Sequence, residues 1–132
     1  MSSHNVSSEV LAVKDESAQR PIPTAWRPIL REIVGALSSR DYQLKRGLSR
    51  VAAVPAETAL HIQNYIQDYG ATLVKLPEEA WASSVCIWMG DYWDVLLDLW
   101  TQEEGQSDLV LSARVTEAGF DFAFKIQMVY VP

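Results

Sequence analysis

The sequence predicts an α+β domain in which two N-terminal helices pack on one face of a four- to five-stranded antiparallel meander sheet. Apolar residues recur every three or four positions in the first half of the chain and every second position in the latter part, with Gly70 between the two regimes. The later apolar segments are joined by only two to six residues. A parallel crossover would need about a dozen, so neighbouring strands must run antiparallel.

Residues 1–21 are polar and serine-rich without a sustained period, which predicts a flexible N-terminal arm ahead of a single domain over 22–132. After Pro21-Ile22-Pro23, Thr24 can cap a helix whose stripe is Trp26, Ile29, Leu30, Ile33, Val34 and Leu37. Pro28 falls in its first turn, where the amide that proline lacks has no intrahelical partner. The segment from Ser38 to Val54 has no period and reads mostly as loop. A second helix starts near Pro55, carries Ala59, Ile62, Tyr65, Ile66 and Tyr69 on one face, and ends at Gly70 as a left-handed cap.

Beyond Gly70 the period of two predicts a short strand over 71–76, one helical turn over 77–81, and strands near 84–89, 92–101, 108–116 and 120–131. Alternation assigns Val85, Ile87, Met89, Trp93, Val95, Leu97, Leu99, Leu109, Leu111, Ala113 and Val115 to one face. Phe120, Phe122, Phe124, Ile126, Met128 and Tyr130 join them, making the apolar face that the helices should cover. The opposite face collects Cys86, Trp88, Asp94, Leu96, Asp98, Trp100, Val110, Ser112, Arg114, Asp121, Ala123, Lys125, Gln127 and Val129. Tryptophan and aliphatic residues among charges suit a binding surface better than a wet one.

At 132 residues, 48% apolar and 21% charged, the chain can bury a core without disulfides or metal. Its single cysteine, Cys86, argues against a disulfide framework or a multi-cysteine metal cluster, and the N-terminus shows no targeting or membrane segment, so the expected compartment is the cytoplasm. A net charge of −6 argues against nucleic-acid binding. The charge is uneven, with six bases against two acids in residues 21–54 and ten acids against two bases in residues 77–132. That asymmetry could steer a charged partner or simply help the helices dock on the sheet.

Familiar chemical motifs are missing. There is no glycine-rich phosphate loop, no H-E-x-x-H and no G-x-S-x-G. His4 belongs to the arm and His61 to a solvated helix face, and Cys86 has no basic neighbour in sequence to activate it. Asp94 and Asp98 share a strand face but stand about 13 Å apart along it, beyond the spacing of paired glycosidase carboxylates. Glu103, Glu104 and Asp108 crowd one hairpin loop, where oxygen ligands could attract a hard cation, although the spacing fits no calcium-loop pattern and Gly105 reads more simply as a turn residue. No cofactor and no metal is expected.

The stretch from Trp93 to Leu109 resembles an uncharacterised bacterial family of small domains sharing W-x-V-x-x-D-L-W-T-x-E-E-G-x-S-D-L. The resemblance implies a bacterial protein and carries over no catalytic residue. In style, though not in motif, the chain is also similar to toxin-immunity proteins of bacterial polymorphic-toxin systems. The expected function is a non-enzymatic protein-interaction domain, of which an inhibitor or immunity-like protein is one form. Its binding residues are expected to be Trp88, Asp94, Asp98, Trp100, Glu103, Glu104, Asp108 and Arg114. Two alternatives compete: a small-ligand or divalent-metal-binding domain using the mixed face, and a structural homodimer subunit.

Overall fold

The stripe of Leu30, Ile33, Val34 and Leu37 is wholly buried in helix α1, Arg27–Ser38. The structure, a computed structural model, describes residues 9–132. Pro28 sits in the first turn of α1, and a 3-10 turn over Thr24–Trp26 leads into it and places Trp26 in the core. Thr24 does not cap the helix. Its hydroxyl accepts the Val10 amide at 2.7 Å, and its own amide donates to the Val10 carbonyl at 2.9 Å. Helix α2, Ala56–Tyr69, follows Pro55, buries Ala59, Ile62 and Ile66, and stops at Gly70, whose φ of 80° is the left-handed conformation that glycine adopts without strain.

Among the described residues five strands form one antiparallel sheet in sequence order: β1 (Arg20–Pro21), β2 (Val85–Trp88), β3 (Trp93–Thr101), β4 (Gly105–Ala118) and β5 (Asp121–Tyr130). Both helices cover the same face. Trp26 meets Trp93 and Phe122 edge-on, each with ring centroids 5.4 Å apart, and Trp93 meets Phe122 at 5.9 Å. Such pairs each add about 0.5–1.5 kcal/mol beyond area burial, so this cluster anchors the start of α1 to the sheet.

Several expectations change. His4 and the first eight residues of the expected arm lie outside the described residues. From Glu9 onward the arm runs against the domain: the Val13 carbonyl accepts the Trp93 indole N–H at 3.0 Å, Lys14 pairs with Glu117 at 2.8 Å, and Arg20–Pro21 adds the edge strand β1. The strand expected over 71–76 shrinks to one bridge between Leu73 and Thr101, flanked by hydrogen bonds joining Val74 to Trp100 and Gln102 to Thr72. Strand β4 starts at Gly105 rather than at Asp108, and Phe120 is fully exposed in the β4–β5 turn instead of joining the apolar face.

Two register effects reassign side chains between faces. Trp88 pairs with Trp93 and Cys86 with Val95, so β2 turns Cys86 and Trp88 toward the helices and Val85 and Ile87 away. Both sets of β2 residues are apolar, so alternation alone cannot choose between the phases. In β5 the register slips between Ala113↔Ile126 and Ser112↔Met128, leaving Gln127 as an extra residue. That bulge brings Val129 into the core and turns Met128 and Tyr130 outward.

Candidate functional site

The register lays out the outer sheet face as three rows. Ile87, Asp94, Arg114 and Lys125 lie side by side across β2 to β5; next come Val85, Leu96, Ser112 and Met128; then Asp98, Val110 and Tyr130 across β3 to β5. Leu96 and Tyr130 are half-buried and Met128 is exposed, so the middle of the face is an apolar strip open to solvent. Among the described residues none of Asp94, Asp98, Arg114 and Lys125 enters an ion pair. Arg114 instead places its guanidinium 4.4 Å from the centre of the Tyr92 ring.

The sequence-predicted residues separate into three groups. Asp94, Asp98, Trp100 and Arg114 do share the outer face. Among the described residues Asp98 accepts a long 3.5 Å hydrogen bond from Gln106, and the buried Trp100 indole N–H has no partner. Trp88 is a correction. It lies on the helix-covered side, 4.5 Å from the Trp93 ring, with Lys14 over its face at 5.2 Å.

Glu103, Glu104 and Asp108 are tied to other elements. Glu103 accepts both the Thr72 amide, at 2.8 Å, and the Thr72 hydroxyl, at 3.0 Å. Glu104 accepts the Tyr69 hydroxyl at 2.6 Å, and the same hydroxyl accepts the Asp108 amide at 3.2 Å. The Thr72 amide stabilises the ionised carboxylate and holds Glu103 below its ordinary pKa, whereas Glu104 as acceptor stabilises the protonated Tyr69 phenol and raises its pKa. These side chains fasten the β3–β4 hairpin to the end of α2. Among the described residues no three His, Cys, Asp or Glu side chains converge in a way that could hold a metal ion.

Cys86 is buried and its thiol donates to the Pro21 carbonyl at 3.6 Å; burial pushes its pKa up to about 11, the opposite of what an attacking thiolate needs. His61 is exposed on α2.

Sequence reasoning missed the upper corner of the face. There a cleft of about 530 Å³ opens between Tyr92 and Arg114 on one side and the segment Arg50–Ala52 on the other, floored by Thr116 and Ala123 and ending at Lys125. The segment is held on the edge of β5 by two backbone hydrogen bonds, Phe124 N–H to the Arg50 carbonyl at 2.8 Å and Ala52 N–H to the Phe124 carbonyl at 2.9 Å. The concentration of bases in residues 21–54 was the available signal, but nothing in the sequence pairs Arg50 with β5.

Among the described residues no helix is long and apolar enough to cross a membrane. Residues 34–132 match a family described as a domain of unknown function (DUF7668). No curated protein and no solved structure matches the chain.

Proposed function

The chain belongs to the DUF7668 family, whose description carries no activity, and we propose from its outer sheet face that it is a non-enzymatic protein-interaction domain. The observation that carries this reading is the strip of Leu96, Met128 and Tyr130, open to solvent and bordered by carboxylates and bases that form no ion pair among the described residues. An apolar centre supplies affinity on desolvation, and surrounding charges select the partner and its orientation. A partner presenting an apolar residue flanked by a basic one fits the Leu96 strip between Asp94 and Asp98. The buried, carbonyl-bonded Cys86 supports a role without nucleophilic chemistry.

The test compares capture of partners from native cells by the wild-type chain, Leu96→Asp, and Leu60→Asp on the exposed side of α2. Capture of one protein by the wild type and Leu60→Asp, but not by Leu96→Asp, is the expected outcome. Equal capture by all three would overturn the reading.

A second copy of the chain is a specific second reading. If a two-fold axis runs parallel to the strands between β3 and β4, Asp94 of one copy lies over Arg114 of the other, so the face complements itself. Sedimentation of the purified protein separates the readings, since a dimer that Leu96→Asp dissociates makes the partner a second copy.

A further inference from the structure

We propose that the cleft between Tyr92, Arg114, Lys125 and Arg50 is a binding site for a small organic anion, a carboxylate or phosphate group carried on a flat apolar body. The site lies above the apolar strip and does not depend on protein docking there.

Arg114 and Lys125 are direct cross-strand partners. Like charges opposed in this way destabilise a sheet unless something compensates. Neither has an ion pair among the described residues, and the Asp94 carboxylate opposite Arg114 does not form one. The guanidinium instead lies over the Tyr92 ring, 4.4 Å from its centre, a contact that leaves its N–H donors for an outside acceptor. Arg50 brings a third cation, steadied by Asp121 at 3.2 Å.

Arg50 itself has a φ of 63°, a left-handed conformation uncommon for a residue with a side chain, in the segment that forms the cleft wall. A chain of net charge −6 repels anions in general, and with Arg50 paired to Asp121 it is the adjacent Arg114 and Lys125 that reverse the field locally. Beside the cations the floor of Thr116 and Ala123 is largely apolar, which suits an anion carried on an apolar ring better than a bare inorganic ion. Arg114 and Lys125 would take the anionic group while the ring lies on that floor.

Amide NMR titration of the full chain tests this with phenyl phosphate and benzoate as probes, and with inorganic phosphate and phenol as their separated halves. The expected result is saturable binding of phenyl phosphate or benzoate, with shifts at Thr116, Ala123 and Lys125 and weaker binding of both halves. The tighter of the two probes identifies the anionic group. Arg114→Gln and Lys125→Gln should each weaken binding by about tenfold or more, while Arg46→Gln leaves it unchanged. Failure of both probes to saturate, shifts centred elsewhere, or retention of wild-type affinity by both Arg114→Gln and Lys125→Gln would overturn the proposal. The titration uses the purified chain and small probes alone, so its outcome is independent of whether a protein partner is found.

Discussion

The Tyr69 hydroxyl donates to Glu104 at 2.6 Å and accepts the Asp108 amide at 3.2 Å, so one phenol ties the last residue of α2 to the turn and to the second strand of the β3–β4 hairpin. Tyr69→Phe removes both bonds and should loosen the hairpin without unfolding the domain. Its melting temperature should fall modestly, less than for any core truncation, and amide exchange should accelerate at Asp108. Combining it with Glu104→Gln should cost less than the sum of the single changes, because the two share one interaction.

Trp26 joins α1 to the sheet through Trp93 and Phe122 and is wholly buried, and among the described residues its indole N–H has no partner. Trp26→Ala should destabilise by about 3–5 kcal/mol through the cavity it leaves. Trp26→Phe should cost less, since it keeps an aromatic ring while removing a buried donor that makes no bond. Urea denaturation of the three proteins measures both differences.

The helices and their covered face were legible because α1 and α2 carry regular stripes and α2 ends on Gly70. Legibility failed where pairing, not alternation, decides direction. Strand β2 is apolar on both sides, so its phase is fixed by cross-strand pairing, with Cys86 opposite Val95 and Trp88 opposite Trp93. Strand β4 contains an irregularity between Asp98↔Val110 and Trp100↔Gln106, closed by the Ser107 hydroxyl, which donates to the Leu99 carbonyl at 2.8 Å and accepts the Leu109 amide at 3.1 Å. A serine in a run of strand residues does not announce that role. Asp94, Asp98, Trp100 and Arg114 were correctly grouped on one face, whereas the cleft needed Arg50 and β5 brought together by tertiary pairing.

The bulge at Gln127 makes a sharp mutational contrast. Val129 is wholly buried opposite Leu111, while Met128 faces solvent opposite Ser112. Val129→Asp should therefore destabilise by several kcal/mol, roughly the cost of an unpaired charge in a core, and Met128→Asp should stay within about 0.5 kcal/mol of wild type. A strand without the bulge would reverse the order, so denaturant midpoints of the two variants decide the register.

Glu103 predicts a stability change on the acid side. Its pKa is lowered, first by the Thr72 amide, so the folded chain binds its proton less readily than the unfolded chain does. The stabilisation is present above the unfolded carboxylate value and is lost as pH falls through the folded one. Glu103→Gln should lower the urea midpoint near neutrality, and the gap from wild type should close as pH is taken down to about 3. A gap independent of pH would show that ionisation of Glu103 contributes nothing.

Cys86 predicts the complementary behaviour on the alkaline side. Burial raises its thiol pKa to about 11 from the ordinary 9.0, and the thiol donates to Pro21 in β1. The neutral form is favoured by the fold, so its contribution is full below the ordinary value and is lost as pH rises from about 9 to about 11. In native protein at mild alkaline pH, iodoacetamide should label Cys86 slowly, and urea should restore the rate of an exposed thiol. Because β1 lies beside Cys86, Pro21→Gly should accelerate native labelling if opening of that edge strand is the route by which the reagent enters. Equal rates in Pro21→Gly and wild type would place the opening in the opposing β2–β3 pairing, where Cys86 faces Val95.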